Sequence, residues 1–205
     1  MIEAGLDPTI ILGEEAQHVP MGGRYGQGEI MVVEADEAYG SFLKIKPRIA
    51  VVTNIDDDHL DYYKNSDSIN KAFATFLQGI DDHDLAVLFA DDPRVMQIEK
   101  GLTCRKLLFG FENGNLLARN LVVRSRGYEF EVILDRTPLG NVELVVPGRH
   151  NICNALASIA VGFELGIPFQ EIKASLGKFQ GARRRLEYIG EARNILVLDD
   201  YAHHP

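Results

Sequence analysis

The chain has 205 residues, 46% hydrophobic and 25% charged, which is apolar material enough for one large folded domain and excludes a disordered or low-complexity polypeptide. A formal net charge of −9 excludes a general nucleic-acid binder, which needs a basic face, though local basic groups and a magnesium ion can still hold an anionic nucleotide. Two cysteines make no disulfide framework, no apolar run has the length of a membrane span and no signal peptide opens the sequence, so a cytoplasmic, non-membrane setting is expected.

Residues 1–6 read as the last turn of a helix with Gly5 as its C-cap, which predicts a further element upstream. Residues 9–12 read as a short strand and the glycine-rich stretch 22–28 as a loop. Residues 29–33 (EIMVV) and 48–53 (RIAVVT) are apolar without alternation, the pattern of strands buried on both faces of a parallel sheet. They run into the polar clusters Glu34-Ala35-Asp36-Glu37 and Asn54-Ile55-Asp56-Asp57-Asp58-His59. Ligands of open α/β sheets sit beyond the carboxyl ends of the strands, so chemistry is expected at these two clusters. Residues 68–78 form an amphipathic helical pattern with Ile69, Phe73, Phe76 and Leu77 on one side. Residues 85–90 read as a third buried strand, and Asp92-Pro93 as the N-cap and first position of another helix.

The pattern changes from about residue 106. Short segments at 107–109, 116–124, 128–134 and 141–145, several of them alternating, are separated by turns at Asn113-Gly114, Arg126-Gly127 and Leu139-Gly140. They predict a small antiparallel sheet over about 106–146. Helices follow over 151–165 and 168–176, closed by Gly166 and Gly177, then strands at 186–189 and 195–199. The expected fold class is α/β: a mostly parallel sheet flanked by helices, truncated at its N-terminus, with a small antiparallel β insertion.

No G-x-x-x-x-G-K-[ST] phosphate loop occurs; Gly177-Lys178-Phe179 lacks both the upstream glycine and the magnesium-binding hydroxyl, and the glycines at 22–28 miss the dinucleotide spacing. Glu34, at the end of one strand, and His59, just past the next, offer a carboxylate and an imidazole to a cation, although magnesium prefers oxygen. Asp56, Asp57 and Asp58 read first as a solvated capping loop. Asn151 and Asn154 share one helical face and can read a purine edge or a phosphate, or simply cap the helix. Arg183-Arg184-Arg185 is the densest basic run, either a solvated surface or a group aimed at a polyphosphate. Cys153 lies in an apolar helical pattern and reads as a small buried hydrophobe.

Taken in order, these pieces resemble the Mur ligases. The resemblance rests on Val33-Glu34-Ala35-Asp36-Glu37 with Ser41-Phe42-Leu43, Thr53-Asn54-Ile55 with Asp58-His59-Leu60-Asp61, and Pro147-Gly148-Arg149-His150-Asn151-Ile152-Cys153-Asn154. It continues through Phe179-Gln180-Gly181 to Arg185, and through Asp199-Asp200-Tyr201-Ala202-His203-His204-Pro205. It covers nearly the whole chain, and its wording is most similar to the branch that joins L-alanine to UDP-N-acetylmuramate. The branch that recycles a tripeptide onto the same sugar nucleotide is close; a folylpolyglutamate synthetase is more distant, and a non-catalytic binding remnant is the reading from another class.

The resemblance implies ATP-dependent amide formation through an acyl phosphate, with ATP and Mg2+ as cofactors. It implies Glu34 and His59 as magnesium ligands, Asn151 and Asn154 as nucleotide contacts, and Arg185 as a catalytic group at the ATP phosphates. Asp200 would bind the nucleotide, His203 would lie at the catalytic amino-acid site, and Asn54 would face the sugar nucleotide. It places the central ATP-binding-type domain at 1–194 and the start of a C-terminal domain at 195–205. The family's Gly-Lys-Thr loop is expected upstream of Met1, so this chain alone is expected to be inactive; with the first strand and its helix also upstream, it is expected to self-associate through an exposed sheet edge or to have rearranged at its N-terminus.

Overall fold

The computed structural model describes residues 1–13, 15–16 and 19–202. Three short strands come first: β1 (Thr9–Ile11), β2 (Gly23–Arg24) and β3 (Met31–Val33). They form their own sheet in the order β2-β1-β3, with β1 antiparallel to β2 and parallel to β3. Asp7 ties this sheet together by pairing with Arg24 and accepting from the Gln27 backbone N–H. Residues 1–6 make a turn rather than the end of a long helix: Gly5 has φ 74°, and the Leu6 N–H reaches the Met1 carbonyl.

The main sheet has six strands in sequence order: β4 (Ile49–Val52), β5 (Leu85–Phe89), β6 (Arg105–Gly110), β7 (Leu116–Val123), β8 (Tyr128–Leu134) and β9 (Thr137–Leu144). Neighbours are parallel from β4 to β7 and antiparallel from β7 to β9. The α/β class therefore holds, with two adjustments. First, the antiparallel part is not a separate sheet; it extends the parallel one, and β6 belongs to the parallel half, paired with β5 from Leu85↔Arg105 to Phe89↔Phe109. Second, the last hairpin turns at Asp135-Arg136, both at positive φ, while Pro138 to Gly140 lie inside β9 beside a register shift.

Burial follows the strand period of two. In β5, Leu85 and Val87 enter one core while Ala86 and Leu88 enter the other. The first core is covered by α4 (Arg149–Glu164) and α5 (Phe169–Lys178); Ile152, Leu156, Ile159 and Ala160 of α4 are fully buried there. The second is covered by α2 (Ser66–Gln78) and α3 (Pro93–Glu99), with Ile69, Leu77 and Val95 against Ala50, Val52 and Leu88. A four-residue helix α1 (Leu60–Tyr63) precedes α2. Only β5 has the two-sided burial expected of all three apolar runs. β4 is an edge strand whose Val51 is 41% exposed, and β3 stands outside the main sheet.

Local chemistry sets the helix ends. Asn65 caps α2 by accepting from the Ser68 N–H, and Asp92 caps α3 through the N–H groups of Arg94 and Val95, with Pro93 at the first position. Gly177 does not end α5, which continues to Lys178. Finally β10 (Glu187–Ala192) and β11 (Ile195–Asp199) pair as a separate antiparallel ribbon, and every residue of β11 is exposed.

Candidate functional site at the carboxyl edge of the sheet

Parallel β4, β5 and β6 deliver their carboxyl ends to one edge, and the loops leaving them carry Asn54–His59, Asp91–Asp92 and Phe111–Asn113. Side-chain to backbone bonds join these loops. Asp92 Oδ2 accepts from the Ile55 N–H at 3.1 Å, while its Oδ1 caps α3. Asp91 accepts from the backbone N–H groups of Phe111 (2.6 Å), Glu112 (3.0 Å) and Asn113 (2.9 Å), and from the Asn113 amide. Burial pushes the Asp91 carboxyl up, but these N–H bonds outweigh it and hold the group below its usual range.

The first turn of α4 meets the same edge. The Arg149 guanidinium lies over the Phe111 ring, 4.1 Å from its centroid. Gly148, at φ 94°, provides no side-chain cap, which leaves first-turn N–H groups for an acceptor from elsewhere. Asn151 donates to the Pro147 carbonyl at 2.6 Å, and Asn154 donates to Asn151 Oδ1 at 3.3 Å, so the structure brings the two asparagines together. Behind them Cys153 is buried, and burial pushes its thiol up to about 11; the Asp91 charge pushes the same way.

His59 sits at the N-terminus of α1 with φ 52° and ψ 39°, a left-handed conformation unusual for a residue with Cβ. Its Nε2 lies 3.8 Å from Asp58 Oδ2 and 3.9 Å from Asp36 Oδ1. One donor atom each from Glu37, Asp58 and His59 fall within 4.8 Å of one another. Two carboxylates and an imidazole at this spacing suit a divalent cation. By residue type Asp58 reads first as a capping residue, with a ligand role second, and Glu37 is not singled out, because its proximity to His59 depends on how the 34–37 and 54–59 segments meet. Glu34 lies on the same segment as Glu37, but its Oε2 accepts from the Gly13 N–H at 2.7 Å. A second trio, Asp81, His83 and Asp84, lies in the turn before β5, at the amino end of the strands and away from this edge.

Of the remaining predicted residues, Asn54 is exposed at the end of β4, its Oδ1 accepting from Thr53. Arg185 and Asp200 are exposed and close in the fold: Asp200 Oδ2 accepts from the Leu186 N–H at 2.8 Å, and Arg184 lies over the Tyr201 ring. His203 falls outside the described residues. Two clefts, of about 610 and 290 Å3, share Asn115 and Asp135; the smaller reaches Ala160 and Glu164 near the end of α4. They lie away from that helix's first turn and gather none of the residues above.

Residues 23–162 match the Mur ligase middle domain. Over 205 residues the chain is 45% identical to the UDP-N-acetylmuramate–L-alanine ligase of Desulforamulus reducens, spanning 99% of this chain and 44% of that protein. The crystal structure of UDP-N-acetylmuramate-alanine ligase from Thermotoga maritima matches with a TM-score of 0.85 at 29% identity, over 99% of this chain and 46% of the other. The UDP-N-acetylmuramate:L-alanyl-gamma-D-glutamyl-meso-diaminopimelate ligase of Neisseria meningitides matches with a TM-score of 0.76 at 26% identity, over 89% and 60%. The chain thus spans less than half the length of the curated relative it matches.

Proposed function

Because the chain belongs to the Mur ligase family, we propose that it is the central, ATP-handling part of a cytoplasmic ligase that joins L-alanine to UDP-N-acetylmuramate in peptidoglycan synthesis. The observation that carries this reading is the 45% identity, sustained over 99% of the chain, to a protein of that activity. Among the described residues no helix is long and apolar enough to cross a membrane, which accords with soluble substrates. In this reading residues 1–194 form the central domain and 195–205 open the next.

The reaction activates the sugar-nucleotide carboxylate with the γ-phosphoryl group of ATP, and the alanine amine then displaces phosphate from the acyl phosphate. The chemistry that a Mg2+ held there would supply is neutralisation of charge on the phosphoryl group. The chain's own residues hold and orient. His59, with Glu34 or its neighbour Glu37 and with Asp58, supplies the cation's ligands. Asn151 and Asn154 hold the nucleotide at the start of α4. Arg185 and Asp200, adjacent at the foot of the β10–β11 ribbon, hold phosphate and nucleotide and Asn54 faces the sugar nucleotide; the amino-acid role of His203 rests on the family resemblance alone.

The test is phosphate release with ATP, Mg2+, UDP-N-acetylmuramate and L-alanine. It is run on this chain and on a chimera joining it to the flanking segments of the D. reducens relative. Release by the chimera alone supports the reading, since the phosphate loop is then supplied. Release with the tripeptide in place of L-alanine moves the assignment to the recycling ligase, the activity of the N. meningitides protein, whose likeness to this chain is weaker than that of the T. maritima ligase. Silence with both substrates overturns it.

A further inference from the structure

One side chain with two partners ties the middle of the loop that carries His59 to two helices. Asp57 Oδ1 accepts from Arg94 Nη1 at 2.6 Å, and its Oδ2 accepts from the Ser66 hydroxyl at 2.8 Å. Arg94 is in the first turn of α3 and Ser66 is the first residue of α2, so the carboxylate spans two helices. Two residues before it, Ile55 is 4% exposed and its N–H is held by Asp92; two residues after it, His59 is in the left-handed conformation. A backbone in that region persists where its surroundings over-determine it. Both Asp57 oxygens are engaged, and Asp57 is absent from the trio of Glu37, Asp58 and His59.

We propose that Asp57 is a positioning residue for the cation site: clamped by Arg94 and Ser66, it fixes the loop from which Asp58 and His59 present their donor atoms. The proposal rests on the reading that His59 binds the divalent cation. Outer partners of metal ligands commonly change metal affinity by about ten- to a hundredfold. The competing account is that Asp57 simply adds negative charge near the site. The two accounts differ in sign at Arg94. Removing that cation leaves one positive charge fewer beside the loop, so under the charge account a divalent cation binds more tightly. Under the clamp account it binds more weakly, because the loop loses its anchor.

The experiment titrates the chain with Mn2+ alone and follows the free-ion electron paramagnetic resonance signal, with thermal melting of each variant alongside. The expected result is one Mn2+ site abolished by His59→Ala and weakened about tenfold by Asp57→Ala and by Arg94→Gln. The double variant is expected to be no weaker than either single one, because both remove the same clamp. Ser66→Ala removes one arm and is expected to weaken binding about two- to threefold, part of the loss when the clamp is removed. Should Asp57→Ala fail to fold, Arg94→Gln decides on its own. Unchanged or tighter Mn2+ binding by Arg94→Gln overturns the clamp while the cation site stands. Absence of Mn2+ binding by the unaltered chain, or binding indifferent to His59→Ala, removes the cation reading and the clamp with it.

Discussion

Asp91 shows how one carboxylate can shape an edge of the fold. It receives three backbone N–H groups from residues twenty or more positions away, and replacing it leaves them to water or unpaired. Asp91→Ala is expected to cost about 1–2 kcal/mol in urea unfolding at pH 7, a range that allows for its partly exposed position. The folded-state pKa is depressed, so the contribution is complete above the unfolded carboxylate pKa of about 4 and is lost as pH falls through the folded value. The gap between wild type and variant should therefore close below about pH 4. Burial also raises both thiols, so Cys104 and Cys153 should resist Ellman's reagent at pH 8 in the native chain and react on denaturation. Asp92 as a cap was legible, because Asp-Pro before an apolar run acts within one turn. The Asp91 bracket was not, since its partners lie twenty or more residues away and meet it only through the pairing of β5 with β6; nor was the approach of Glu37 to Asp58-His59, which joins two segments that are separate in sequence.

Helices and strands were legible where the apolar period is long and uninterrupted. α2, α4 and β5 lie within a few residues of their expected places because their buried positions recur with the helix or strand period. Strand direction is another matter: the Leu-Leu-Phe run of β6 suits either kind of sheet, and its parallel pairing to β5 is set by the crossover through α3. The turn at Asp135-Arg136 was missed because neither residue is glycine, although both adopt positive φ. Depth in the sheet gives a graded expectation. Ile159→Ala, at a fully buried position of α4, should cost about 3–4 kcal/mol, whereas Val51→Thr at the half-exposed edge should cost less than about 1 kcal/mol. Urea denaturation of the two variants checks the ordering.

At the scale of the whole molecule the six-stranded sheet has unlike edges. β9 carries Pro138, which has no N–H to offer, and packs with α5. β4 pairs only with β5, and its other edge has no strand partner among the described residues. A bare strand edge is a template for a second chain, so light scattering is expected to report mass rising with concentration, and Val51→Lys should reduce it. A monodisperse monomer across the range would count against an open edge.

The exposed β10–β11 ribbon has a consequence for how the protein opens. Its residues are solvated on both faces, while Ala86, Val87 and Leu88 of β5 are fully buried between two layers. Amide protons in the ribbon should exchange with deuterium through local fraying, within seconds to minutes. Those of β5 should wait for the whole sheet to come apart. One polypeptide would then carry two clocks, and the residues proposed to hold phosphate and nucleotide, Arg185 and Asp200, which flank the ribbon, would run on the faster one.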